Sequence, residues 1–183
     1  MTAHPPIAAP VWFPQLIVRF LRQDDLPALE WGGEYTHFRR LYAEIYNHFH
    51  HGRAVLWVAE LPRTGNIGQL FVQLSSSRTE LADGIERAYV YGFRVKPAYQ
   101  GFGVGTHMLR VAENYLAERK FRRITLNVAR DNHAARRLYE HLGYRVIGPD
   151  PGLWSYLDDR GIRQDVVEPA WRMEKMINQR ERS

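Results

Sequence analysis

There is no cysteine in this chain, and that absence excludes disulfides, thiolate catalysis and cysteine-based zinc sites. No apolar run is long enough to span a membrane. The opening residues, Met-Thr-Ala-His-Pro-Pro, lack the basic and apolar regions of a secretory leader. A soluble cytoplasmic protein with no membrane partner is therefore the expectation. Repeats and low-complexity tracts are also missing, so the 183 residues read as one ordinary domain with one core. That domain is expected over residues 16–177, after a proline-rich, extended lead-in at 1–15 and before a polar tail at 178–183 that frays.

Positive charge is in modest excess, with a net charge of +5 and a pI of 9.6. No long basic run or aromatic-plus-glycine RNA signature accompanies it, and Arg122-Arg123 and Arg136-Arg137 are short pairs. Nucleic acid is not an expected partner. The excess suits a solvated surface or a groove that attracts a polyanion. His48, His50 and His51 crowd a helix end beside Gly52. No carboxylate stands at a metal-ligand spacing from them, and no metal is expected.

The informative stretch is residues 95–106, Val-Lys-Pro-Ala-Tyr-Gln-Gly-Phe-Gly-Val-Gly-Thr. A strand-like run, Ala88 to Val95, precedes it and a helix-like run, Met108 to Leu116, follows. Strand, glycine turn and helix together make an anion cradle. Glycine lets the backbone approach closely, and the first helical turn offers N–H groups without internal partners. The common nucleotide variants do not fit. A dinucleotide loop wants a third glycine where Thr106 stands and an acidic residue about twenty positions later, but Lys120–Val128 supplies only basic, polar and apolar residues. A Walker loop wants Gly-Lys-Ser or Gly-Lys-Thr, and Gly105-Thr106-His107 is neither.

A second cluster, residues 126–144, adds Val128, Asn132, Ala135, Leu138, Tyr139, Glu140, Gly143 and Tyr144 at a fixed spacing. Together the two segments resemble the GNAT superfamily of acyl-CoA-dependent N-acyltransferases. The first is similar to its pyrophosphate loop at Gln100, Gly103 and Gly105; the second is similar to its later Asn-x-x-Ala-x-x-Leu-Tyr-Glu motif. The resemblance covers roughly residues 86–148.

It implies an α/β fold with a mixed, mostly antiparallel sheet, helices on both faces and a splayed strand pair for the donor. It also implies acetyl-CoA as acyl donor and a small-molecule or peptide amine as acceptor, with direct attack in a ternary complex. By the resemblance the donor is held by Gln100, Gly101, Phe102, Gly103, Val104, Gly105 and Thr106, by the strand at Phe93, Arg94 and Val95, and by Asn132. Asn132 also reads as a plain helix cap. Tyr139 is implied as the acid that protonates the leaving thiolate, although its spacing also suits a core aromatic. Relatives are often homodimers.

One family feature is missing. The carboxylate that many relatives carry about four residues before the loop's valine is here Tyr91. Glu34, Glu86 or water remain as the base that an ammonium acceptor requires. The gap also leaves open a catalytically inactive module that binds coenzyme A as sensor or scaffold. Gly92 marks either a strand bulge or relief of crowding.

Elsewhere, periodicity predicts a strand at Leu16–Leu21, a short helix capped by Asp24 or Asp25, and a helix over Tyr35–Phe49. A hairpin is predicted around Pro62–Asn66, and strands at Ile124–Ala129, Tyr144–Ile147 and Ala170–Ile177. Pro149–Pro169 reads as turn-rich, with a hairpin turn at 158–161. Acceptor walls are expected from Trp31–Phe38, Ser75–Gly84 and Pro149–Pro169.

Overall fold

The computed structural model describes residues 9–177; the start of the lead-in and the tail at 178–183 lie outside the described residues. The strands are β1 (Ile17–Phe20), β2 (Ala54–Leu61), β3 (Gly65–Gln73), β4 (Arg87–Val95), β5 (Arg123–Ala129), β6 (Arg145–Asp150), β7 (Leu153–Leu157), β8 (Arg163–Val167) and β9 (Ala170–Met176). The helices are α1 (Arg39–His50), α2 (Val104–Glu118) and α3 (His133–His141). Seven strands form one sheet in the order β1-β2-β3-β4-β5-β9-β6, and β7 and β8 pair as a separate hairpin. All neighbours in the sheet are antiparallel except β4 and β5. A parallel pair needs a long crossover, and α2 provides it.

Sequence explains why this sheet is covered on both faces. β2 reads Ala-Val-Leu-Trp-Val-Ala-Glu-Leu, almost without a polar position, which suits a strand buried on two sides. Val55, Trp57 and Ala59 enter one core, whereas Leu56 and Val58 enter the other. The first core is closed by Val104, Met108, Leu109, Ala112 and Leu116 of α2 and by Tyr139 of α3. These α2 residues recur at helical spacing and form one apolar stripe. The second core is closed by Tyr42 and Ile45 of α1.

Several expected elements change form. The segment after β1 is a 3₁₀ run, Gln23–Gly33, with Pro27 inside it. Proline has no N–H to continue an α-helical ladder. Asp25 still caps the start, accepting the Arg22 N–H at 2.7 Å. The helix expected from Tyr35 begins with a 3₁₀ turn, Thr36–Phe38, and becomes α-helical only at Arg39. The turn-rich Pro149–Pro169 segment builds β7 and β8 around the expected turn, where Asp158 accepts N–H groups from Arg160 and Ile162 at 3.0 and 2.9 Å. Within the expected extended lead-in, Phe13–Gln15 form a 3₁₀ turn.

The feature that positions the site is a split in the sheet. β4 and β5 pair from Arg87 with Arg123 to Val90 with Leu126, and no further. Beyond that, β4 stays with β3 as far as Val95, and β5 stays with β9 as far as Ala129. The sheet therefore opens like a V. The opening coincides with a bulge in β4, where the register with β3 shifts between Gln69 and Phe71. Gly92 lies in the bulge at φ +57°, and a Cβ there would sit 2.5 Å from Phe71 Cδ2. Both readings of Gly92 therefore hold. Gly92→Ala is expected to cost about 2–4 kcal/mol, from the left-handed backbone and the overpacking together. Urea unfolding would show this as a lowered midpoint at unchanged slope.

Candidate active site

The glycine loop leads directly into α2. Gly103 precedes the helix at φ 88°, no side chain caps it, and the first helical hydrogen bond runs from the His107 N–H to the Gly103 carbonyl at 2.9 Å. The N–H groups of Val104, Gly105 and Thr106 thus have no partner inside the helix, and the positive end of the helix dipole lies with them. Gly101, Phe102 and Gly103 are exposed; the Val104 side chain is in the core, leaving only its backbone for a ligand. The Gln100 side chain donates to the Val95 carbonyl at 2.8 Å and ties the loop to the end of β4.

The open side of β4 is defined by the ladder on its other side. The Lys96 N–H donates to the Ile67 carbonyl at 2.8 Å, and Val95 lies opposite Gly68. Alternate residues of an antiparallel strand face alternate neighbours. Arg94 and Lys96 therefore bond toward β3, while Phe93 and Val95 turn their N–H and C=O groups into the split. With the Val95 carbonyl taken by Gln100, the Phe93 N–H and C=O and the Val95 N–H remain. An extended ligand arm can add itself there as a strand.

Three elements meet beside this edge. A Cβ on Gly105 would lie 3.1 Å from Phe93 Cζ and 3.8 Å from Leu138 Cδ2. Any larger residue at 105 would push the helix entry away from β4. The Tyr139 ring stands 6.4 Å from Phe93 and 5.9 Å from Tyr144, centroid to centroid. Burial pushes the Tyr139 phenol well above its ordinary value, with a smaller push from Tyr89. It therefore stays protonated at every physiological pH. Asn132 caps α3, its Oδ1 accepting the Ala135 N–H at 3.1 Å, and its side-chain NH₂ is not used by that cap.

Tyr91 stacks on Tyr89 at 5.9 Å with the planes 3° apart, and burial pushes its phenol up too. Glu86 precedes β4 at its paired end, near Arg123 at 3.7 Å. Six residues of strand, roughly 20 Å, separate it from Gly92. Glu34 is exposed and lies beside the Tyr35 hydroxyl. Among the described residues no cluster of His, Asp and Glu is arranged for a metal ion, and no helix is long and apolar enough to cross a membrane.

Sequence reasoning missed two features. Trp12 packs edge-on against Tyr99 at 5.4 Å and Phe102 at 5.8 Å, and Phe13 lies against Gly103 and His107. The lead-in thus braces the glycine loop; only its aromatic pair, set among prolines, hinted at docking. The second is the Arg94 side chain, which crosses to the α1 face. Its guanidinium lies 4.1 Å from the Tyr35 ring centroid and donates to the Tyr42 hydroxyl at 3.0 Å. Of the expected acceptor walls, two meet: Phe38 touches Tyr156 at 4.9 Å and Trp154 at 6.1 Å. The third, Ser75–Gly84, packs instead on β5 and β6, through Thr125 Oγ1 to the Leu81 carbonyl at 2.7 Å and Arg78 to Asp150.

An uncapped helix entry beside a split parallel pair is an arrangement that suits an extended, anion-headed ligand. The chain belongs to the acetyltransferase (GNAT) family, whose model matches residues 21–144. Among solved structures it is similar to the ribosomal-protein-S18-alanine N-acetyltransferase from Escherichia coli, at 20% identity and a TM-score of 0.67 over 89% of this chain and 94% of that one. It is also similar to the spermidine/spermine N-acetyltransferase SpeG from Vibrio cholerae, at 21% identity and 0.66 over 89% and 93%. Ard1 from Thermoplasma volcanium follows at 16% identity and 0.66 over 89% and 98%. At these identities the likeness concerns the fold. No curated protein matches this chain in sequence.

Proposed function

We propose that this protein is an N-acetyltransferase that transfers an acetyl group from acetyl-CoA to a primary amine by direct attack in a ternary complex. The observation that carries the reading is the meeting of the α2 entry, the open edge of β4 and Tyr139 around Phe93 and Gly105. The residues present fit such a donor. The free N–H groups of the loop and first turn suit a pyrophosphate. The edge at Phe93 and Val95 suits a pantetheine arm carrying its own amides, and the Asn132 NH₂ is available to the same arm. The Phe93 N–H faces the split, where it can stabilise charge developing on a thioester oxygen.

Acetyl-CoA supplies an activated acyl group. The acceptor nitrogen bonds to the carbonyl carbon, the C–S bond breaks, and the sulfur leaves with the bonding electron pair. Nitrogen loses one proton and sulfur gains one. Tyr139, whose ring lies beside Phe93 at the open edge, is the candidate donor to the sulfur. An alkyl thiol ionises near ~8.5, below a phenol near ~10, and burial widens that gap. Tyr139 therefore acts best as a donor hydrogen-bonded to the departing sulfur while the nitrogen's proton replaces its own. The acceptor must first become a neutral amine, and Glu34, through water, is the better placed of the two carboxylates. A primary amine as acceptor is also in keeping with the amine-acetylating activities named for the neighbouring structures.

The test is release of free coenzyme A from acetyl-CoA with an amine panel, with acetylated product followed by mass. Amine-dependent release with a matching acetylated product is expected. Binding of coenzyme A without turnover of any amine would favour the non-catalytic module instead.

A further inference from the structure

We infer that the acceptor is an amine that carries a carboxylate, and that Arg94 is the residue that selects it. The inference rests on the acetyltransferase reading and adds the chemistry of the second substrate. The glycine loop, α2 and α3 occupy one face of the sheet, so an acceptor that reaches the split must come from the α1 face. Arg94 stands on that face, one residue after Phe93. Its side chain is half-buried, stacked on Tyr35 and 5.2 Å from the Phe38 ring centroid, and donates to the Tyr42 hydroxyl. Among the described residues it makes no ion pair. The nearby Glu30 is engaged by Arg39 and Thr36. A partly buried guanidinium held in place by aromatic rings and a hydroxyl, with no carboxylate at ion-pair distance although Glu34 lies beside the Tyr35 hydroxyl, is an arrangement that a ligand's carboxylate would complete.

Two further groups around it also lack partners. Gln69 pairs in register with Arg94, is 0% exposed, and lies beside the Tyr42 hydroxyl, yet neither atom of its amide makes a well-formed hydrogen bond. Trp31 packs edge-on against Tyr35 at 5.2 Å, and its buried Nε1–H finds no acceptor. Trp31 also sits in the left-handed region at φ 48°, ψ 47°, which a bulky residue adopts only when its surroundings hold it there. The guanidinium and the indole N–H give the patch an excess of donors, to which the Gln69 amide adds one unpartnered donor group and one unpartnered acceptor. Such a patch suits an acceptor-only anion and disfavours a polyamine, which brings further positive charge.

The experiment compares amino acids with free amines, the corresponding amino-acid amides, and spermidine, each with acetyl-CoA, in the native protein, Arg94→Gln and Arg94→Lys. The native protein is expected to prefer carboxylates over their amides in kcat/KM. Arg94→Gln is expected to lose at least about 30-fold of that kcat/KM, mostly through KM, and Arg94→Lys to recover part of it. Calorimetry with coenzyme A on the same variants reports the donor site separately. Equal turnover of acids and amides overturns the inference, as does preference for spermidine or a preference that survives in Arg94→Gln. Turnover of no carboxylate-bearing amine by a protein that binds acetyl-CoA also overturns it. Failure of the native protein to bind coenzyme A instead removes the acetyltransferase reading beneath it.

Discussion

Tyr139→Phe is expected to lower kcat by about 10²-fold, the low end for loss of an acid–base group, with little change in the KM for acetyl-CoA. The phenyl ring keeps the contacts with Phe93 and Tyr144, so the fold should persist and only the hydroxyl is removed. The pH profile gives a second check. Because burial holds the Tyr139 phenol well above its ordinary value, its ionisation should not produce a fall in kcat anywhere below pH ~10. An acidic limb is expected instead, from protonation of the acceptor amine and its base. Steady-state rates over pH 6–10 in both proteins would separate these contributions. An unchanged kcat in Tyr139→Phe would remove the residue from the mechanism.

Asp150→Ala is expected to cost about 3–5 kcal/mol, the range for stripping one partner from a buried ionic cluster. Asp150 is 0% exposed and accepts from Arg78 at 2.7 Å, from Arg172, and from the Gly152 N–H at 2.8 Å. It joins the 75–84 loop, β6 and β9 at one point. Burial pulls its carboxyl up, but the hydrogen bonds from Arg172 and Arg78 outweigh this and hold it well below the ordinary carboxylate range. A carboxyl depressed in the folded state is protonated first in the unfolded chain. Its contribution is therefore complete above pH ~4, the ordinary aspartate value, and is lost as pH falls below it. Thermal unfolding from pH 3 to 7 should show native and Asp150→Ala curves far apart at neutral pH and converging in acid. For a chain of this size, a few kcal/mol corresponds to a fall of about 10 °C at pH 7.

How far the sequence could be read depended on how local each cause was. The glycine loop, its strand and its helix were legible because glycine placement and apolar spacing are local properties, and α2 buries the periodic stripe. Gly92 carried a local signal as well, though the sequence could not say that it makes a bulge and avoids the Phe71 ring at once. The side-chain face of Arg94 was not legible. Along an uninterrupted strand, position 94 would lie on the same face as Val90; the extra residue at the bulge moves it to the α1 face. The β7–β8 hairpin was also hidden beyond its turn. Leu153, Leu157 and Val167 remain exposed, and β8 reads Arg-Gln-Asp-Val-Val, so apolar residues do not alternate with polar ones along it. Trp12 and Phe13 gave no sign of their target, because Tyr99 and His107 lie far along the chain. Glu34 and Glu86 looked equivalent as bare carboxylates, and only the length of β4 separates them.

The central claim is that the loop and the split sheet hold a coenzyme A donor, and calorimetric titration of the native protein with coenzyme A tests it most directly. The account predicts saturable one-to-one binding that is greatly weakened by Gly105→Val, whose side chain would wedge the helix entry away from Phe93. Absence of any binding heat up to ~1 mM coenzyme A, in a regime that still detects affinities of about 4 kcal/mol, would contradict it.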